Sequence, residues 1–250
     1  MGNGVRRRPD PATSSEEHSM AKARTLRTLA VIAAAALAMT ACGSLDSTSN
    51  SSSNAVKIGY ITPLTGLLAA FGEGDQYVVD QMSAWFKDHP VQAGGKSYSV
   101  QILLKDSPSD PKRAGELAGE LINKDGVDIL MAHATPETTV PVAAQCEANA
   151  TPCITADTPW QPWVAGLGGN PGDKSTAGKW SYHFFWGLED MAAVYMDVWN
   201  QVPSNKKVGA LYANDADGQA FTNVKQGYPA ILGPKGFTFD NPGLFSRPRG

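Results

Sequence analysis

YSVQILLKDSPSDPKRAGELAGELINKDGVDILM, residues 98–131, reads as a strand, a helix and a strand in one run. Tyr98 to Leu104 is rich in apolar residues and follows the turn signal Gly94-Gly95. Ala114, Leu117, Ala118, Leu121 and Ile122 then recur at helical spacing. Asp110 with Pro111 supplies the N-cap and first-turn residues that start such a helix. Val127 to Met131 returns to a short apolar strand.

The alternation extends in both directions. Val56 to Ile61 is a β-branched run closed by Pro63, and Val78, Val79, Met82, Trp85 and Phe86 follow it at helical spacing. Downstream come a helix from Glu137 to Ala148, a short strand at Cys153 to Thr155 and a strand at Lys207 to Tyr212. Strand-helix repetition implies an α/β fold with a mostly parallel sheet covered on both faces. Ligands of such sheets sit outside the carboxyl ends of the strands, so the loops after Ile61, Met131 and Thr155 are the ones that matter. Residues 156–179, with five glycines between Gly166 and Gly178, read as irregular. A stretch that long is uncommon inside one compact domain and suggests either a crossing between two lobes or a surface insertion.

Of 250 residues, 42% are hydrophobic, 18% charged and 8% aromatic, which excludes a collagenous, coiled-coil or wholly disordered chain. The net charge of −3 becomes −6 once residues 1–41 are set aside, so nucleic acid is not an expected partner. Residues 1–41 read as an upstream extension and signal peptide. Lys22, Arg24 and Arg27 precede eleven consecutive apolar residues from Leu29 to Met39, too few to cross ~30 Å of hydrocarbon. Met20 lies at the usual distance before that run, so translation is expected to begin there rather than at Met1. Residues 42–55 read as a tether; 44–54 are nine parts in eleven Ser, Thr or Asn, with a flexible reach of roughly 17–20 Å.

Catalytic signatures are lacking. His18, His89, His133 and His183 form no HExxH pattern, and there is neither a GxSxG elbow nor a GxxxxGK[ST] phosphate loop. No enzyme activity, cofactor or metal is expected. His133, at the cleft end of its strand, reads as a hydrogen-bonded structural histidine or a ligand contact. Cys146 and Cys153 form an even pair in an exported setting. A disulfide closing their loop of about eight residues would contribute roughly 2.5 kcal/mol in the chain-entropy estimate. The alternative is two buried thiols.

Several segments, in order, carry a resemblance. ITPLTGLLAAFGEGDQ (61–76), KDSPSDPKRA (105–114) and MAHATPETT (131–139) are similar to the leucine/isoleucine/valine-binding family of type I periplasmic binding proteins. TPCITADTPWQPW (151–163), SYHFFWGLED (181–190) and KKVGALYANDADGQAF (206–221) resemble one subgroup of it. Met39-Thr40-Ala41-Cys42 resembles the bacterial lipoprotein signal, which makes Cys42 the lipidated first mature residue; an ordinary signal peptide beside an incidental cysteine is the alternative.

The resemblance implies two α/β lobes closing on a small solute, delivered to an ABC permease by a monomer exported and lipid-anchored at the outer face of the cell membrane. It divides the chain into a first lobe at 56–158, a lobe-joining segment at 159–205 and a partial second lobe at 206–250. Relatives run longer, so an incomplete second lobe is expected here. A ligand-sensing exported domain and a nonfunctional fragment are the competing readings.

Position by position, the resemblance implies that Thr135, Glu137 and Thr138, with Asp157 and Thr158, meet the head group of the ligand, Phe71 stands beside it and Asp217 reaches it from the second lobe. Pro136 departs from the pattern by lacking the backbone donor at a position where amino-acid binders usually have serine. Trp160, Trp163 and Trp186 suggest a more aromatic cleft, suited to a flat, aromatic or cationic ligand, with Trp160 and Trp186 taken as contacts. Glu137, Glu189 and Asp217 are the acids that could meet an ammonium.

Overall fold

A computed structural model describes residues 54–173 and 178–246. Its main sheet has six strands in the order β2-β3-β1-β4-β5-β6, parallel except for the β2-β3 hairpin. These are β1 (Ala55–Thr62), β2 (Val91–Ala93), β3 (Lys96–Asp106), β4 (Ile129–His133), β5 (Cys153–Ala156) and β6 (Ser181–Phe184). Five helices connect them: α1 (Ala69–Gly72), α2 (Asp75–Asp88), α3 (Pro111–Glu120), α4 (Pro136–Ala148) and α5 (Trp160–Gly166). A second, smaller layer follows, with α6 (Leu188–Trp199), β7 (Lys207–Gly209), α7 (Ala216–Phe221), α8 (Tyr228–Leu232) and β8 (Thr238–Asp240). Strands β7 and β8 pair in parallel.

The helical spacing expected over 114–122 is realised in α3 and in the π-helical turn Leu121–Asp125 that continues it. Asp110 caps it, its side chain accepting from the Arg113 amide at 2.6 Å, and Pro111 occupies the first turn, where no amide is needed. Ala114, Leu117, Ala118 and Leu121 are buried against Leu130, Val142, Cys146 and Trp163 in one continuous core. That core lies on the sheet face presented by the register row Gly59, Leu103, Leu130 and Cys153. The smaller layer has its own aromatic core of Leu188, Ala192, Tyr228, Leu232 and Phe237, ringed by Tyr212, Phe221 and Phe239.

Three features differ from the expectation. The stretch 156–179 holds α5, whose Trp163 and Val164 point into the first core. The strand expected over Lys207 to Tyr212 is regular only as far as Gly209, although the Ala210 amide still bonds to the Asp240 carbonyl and Ala213 bridges to Phe245. Strand β6, which no residue pattern announced, is fixed by a distant side chain. Glu147, in the last turn of α4, accepts from the amides of Lys179, Trp180 and Ser181 at 3.0, 2.8 and 2.7 Å. These amides immediately precede and begin β6, so one carboxylate sets where it joins the sheet.

Candidate functional site

In the main sheet the chain runs from β1 to β3 on one side and returns to β4 on the other, so the sheet reverses its direction of growth around β1. The carboxyl ends of β1 and β4 therefore flank the topological switch point, where open parallel sheets characteristically have their ligand crevice. Thr62 ends β1 and His133 ends β4, and their Oγ1 and Nε2 atoms are 3.0 Å apart. Both residues are buried.

A hydrogen-bonded chain crosses this crevice. His133 Nε2 stands 2.6 Å from Asp75 Oδ2, and His133 Nδ1 stands 2.7 Å from Asp157 Oδ2. Thr62 Oγ1 also donates to Asp75 Oδ2, while the Tyr60 hydroxyl donates to Asp75 Oδ1 at 2.9 Å. Burial, reinforced by the Asp75 charge, pushes the Tyr60 phenol well up, so it stays a proton donor. The Tyr60 ring stacks on His133 with centroids 5.8 Å apart. Two carboxylates thus flank one imidazole from opposite edges, each within hydrogen-bond distance of its own ring nitrogen.

Local backbone builds the rest. Asp157 follows β5 with a φ of +66°, a left-handed conformation that aspartate tolerates better than most residues, and its bond to His133 holds it there. Ala134, between His133 and the start of α4, has a φ of +116°. Asp106, at the end of β3, accepts from the Leu64 and Thr65 amides at 2.9 and 3.2 Å and from Thr65 Oγ1 at 2.6 Å. It thereby fixes the loop after β1. Gly66 is required in that loop, because its φ is +86° and a side-chain carbon would lie 2.5 Å from the Pro108 carbonyl oxygen.

The expected contact residues fall into three groups. Thr135, Thr138, Asp157 and Thr158 share the two loops that carry the imidazole and its outer carboxylate. Thr138 Oγ1 accepts from the Thr135 amide at 3.4 Å, closing the start of α4. Thr135 Oγ1 and Thr158 Oγ1 are buried with no hydrogen-bond partner among the described residues.

Glu137 and Asp217 are brought into one neighbourhood by a different route. Glu137 Oε1 accepts from the Ala216 amide at 2.9 Å, so this acid binds the first turn of α7, where Asp217 follows.

The aromatic residues make the third group. Trp160 donates to Glu189 Oε1 at 3.1 Å, and its indole lies so close to Gly187 that a side-chain carbon there would fall 2.1 Å from Nε1. Gln161 reinforces the tie, donating to Glu189 Oε2 and accepting from the Leu188 amide. Trp163 is buried and stacks on His183. Phe71 on α1 and Trp186 before α6 are half exposed, and Trp186 lines an apolar hollow of about 470 Å³ with Met191, Val194 and Tyr195. A second hollow of about 450 Å³, rich in amides, opens between α5 and α7. Neither is lined by the crevice cluster.

Cys146 and Cys153 are wholly buried, unbonded in this structure and close enough to share a hydrogen bond. Both sit inside the first core and pack as small apolar side chains. The hydrogen bond to Cys153, together with burial, pushes the Cys146 thiol up. Cys42 lies outside the described residues.

The sequence reading left out Asp75, Tyr60 and Thr62. Thr62 was within reach, as the residue ending the first strand, but Asp75 lies in α2 and only folding brings it to His133. No group of His, Cys, Asp and Glu among the described residues is arranged to hold a metal ion, and no helix among them is long and apolar enough to cross a membrane.

A family model described as periplasmic binding protein matches residues 55–238. No curated protein matches significantly. Among solved structures, the chain is similar to the leucine-binding protein LivK of Thermotoga maritima MSB8, with a TM-score of 0.59 and 19% identity over 76% of this chain and 49% of that one. It is similar to a solute-binding protein of an ABC transporter from Rhodopseudomonas palustris BisB5, solved with 3,4-dihydroxybenzoic acid, with a TM-score of 0.56 and 20% identity over 75% of this chain and 46% of that one. It also resembles the branched-chain amino acid transporter substrate-binding protein LivJ of Streptococcus pneumoniae, solved with isoleucine, with a TM-score of 0.54 and 18% identity over 77% and 50%. The chain spans about half the length of these structures, and at such identities the likeness is one of fold.

Proposed function

The chain belongs to the periplasmic binding protein family, and on that footing we propose that it is the extracytoplasmic solute-binding component of an ABC importer. It takes up a small amino-acid-like, polar or aromatic solute, closes over it and makes or breaks no bond. The observation that carries this reading is the crevice at the carboxyl ends of β1 and β4. There, hydrogen-bonding side chains from three separate loops converge, and the buried hydroxyls of Thr135 and Thr158 on the same loops remain unpartnered among the described residues.

Thr135, Thr138, Asp157 and Thr158 form the first-lobe wall in this proposal, with Phe71 beside them. Asp217 and Trp186 approach from the second layer, while Glu137 and Trp160 tie the two layers together. The lobe-joining segment of this proposal, residues 159–205, includes both β6, which pairs in the main sheet, and α6, which packs in the second core. Lipidation at Cys42 would tether the domain to the outer face of the cell membrane, next to the permease.

A thermal-shift screen of the chain against amino acids, amides, polyamines and aromatic acids tests the reading. A saturable rise in melting temperature with one solute class supports it. A cooperative melt that no solute moves overturns it.

A further inference from the structure

We propose that the crevice recognises an organic ammonium group rather than a carboxylate, with Asp157 as the recognising residue; the inference rests on the solute-binding reading above and names the chemical class of its ligand. The first argument is charge. Asp75, Asp106 and Asp157 all stand at the carboxyl ends of the main sheet or in its adjoining loops, and His133 is the one basic side chain among the described residues that contacts any of them. Even with the imidazole protonated, three carboxylates outnumber it, so the local field repels a second anion and attracts a cation.

The second argument is the shortage of anion donors. A helix N-terminus seats a carboxylate through its free amides. At the start of α4, Pro136 has no amide, and the Thr138 and Thr139 amides both turn back to the Thr135 carbonyl at 3.1 and 3.0 Å. At most the Glu137 amide remains in that first turn.

The third argument is the presence of acceptors. Asp157 is held by a single hydrogen bond, from His133 to Oδ2, and its side chain is 44% exposed, so Oδ1 has no partner in the described hydrogen bonds. Thr158, next in the chain, is wholly buried with Oγ1 unpartnered among the described residues, and Thr135 Oγ1 is in the same position on the neighbouring loop. An ammonium carries three donors and no acceptor, and an exposed carboxylate oxygen such as Asp157 Oδ1 suits it. His133 acts as a positioning residue, fixing the carboxylate in its left-handed backbone setting.

Isothermal titration of the full chain with two matched pairs of equal shape and opposite charge, benzylamine against benzoate and isoamylamine against isovalerate, tests this. The expected result is that at least one amine binds ten-fold or more tightly than its acid. Asp157→Asn is expected to abolish that preference while keeping a cooperative melt, and Asp157→Glu to retain part of it. An acid binding better than its amine overturns the ammonium assignment and leaves the solute-binding reading standing. A preference that survives Asp157→Asn overturns the role of that residue. If none of the four binds, the assignment also fails, and the wider solute screen decides the broader reading independently.

Discussion

His133 Nδ1 lies 2.7 Å from Asp157 Oδ2 while the opposite nitrogen of the same ring lies 2.6 Å from Asp75 Oδ2, so one imidazole joins loops that begin at two different strands. Asp75 is half-buried, with Tyr60, Thr62 and His133 as its hydrogen-bond partners among the described residues. Replacing the ring with an apolar one therefore leaves a partly desolvated carboxylate short of a donor. His133→Phe is expected to cost about 2–3 kcal/mol, the range for a lost hydrogen bond to a charged group. Urea unfolding measures it, and His133→Phe combined with Asp75→Asn should cost less than the single change, because the stranded charge is gone.

Glu147 offers a separate handle on the sheet. Burial alone would raise its carboxyl, but the amides of Lys179, Trp180 and Ser181 outweigh that and hold it below the ordinary carboxyl value of 4.5. A depressed carboxyl contributes stability that is complete above the unfolded value and is lost as pH falls through the folded one. Glu147→Gln should lower stability by about 1–3 kcal/mol at pH 7 and flatten the acid limb of the stability curve below pH 4.5. Hydrogen exchange of the Ser181 amide should rise in the variant.

His183 titrates the other way round. Burial lowers its imidazole below the ordinary 6.5, outweighing the bond to the Thr158 carbonyl. The unfolded chain then takes up the extra proton first, so stability is full above about pH 6.5 and declines as pH drops from there toward the folded value. His183→Phe keeps a ring against Trp163 and removes the titration. Denaturant midpoints from pH 7 to pH 5 should fall less steeply in that variant than in the parent chain.

The bond from Glu137 to the Ala216 amide makes a further expectation. Glu137→Ala removes the acceptor from the first turn of α7 and should cost about 1–2 kcal/mol, in the range of a lost helix cap. The diagnostic readout is faster exchange at the Ala216 amide with little change at Leu130 in the first core.

Much of this was legible in the residues. The strand-helix alternation from Val56 to Cys153 gives the order of seven elements, and the rule that ligands gather beyond strand ends singled out the loops where Thr62, His133 and Asp157 stand. Those signals are local, set by periodicity and turn chemistry. Asp75 was not legible because its role depends on a contact across 58 positions of sequence. Strand β6 was missed for a similar reason, since its position depends on a carboxylate 34 residues upstream of Ser181. Trp160 reads from sequence as an aromatic contact and Glu137 as an acid near the head group, but a sequence has no means of telling that each has a hydrogen-bond partner elsewhere in the fold.

Strand β6 is the last in its sheet among the described residues, and Tyr182 and Phe184 on it are 63% and 79% exposed. An unpaired border bearing two bare rings is a template on which a second chain can add its own strand. Concentrated preparations of this polypeptide should therefore tend toward self-association through that margin, and Tyr182→Lys should keep them clear by setting like charges against each other across the seam.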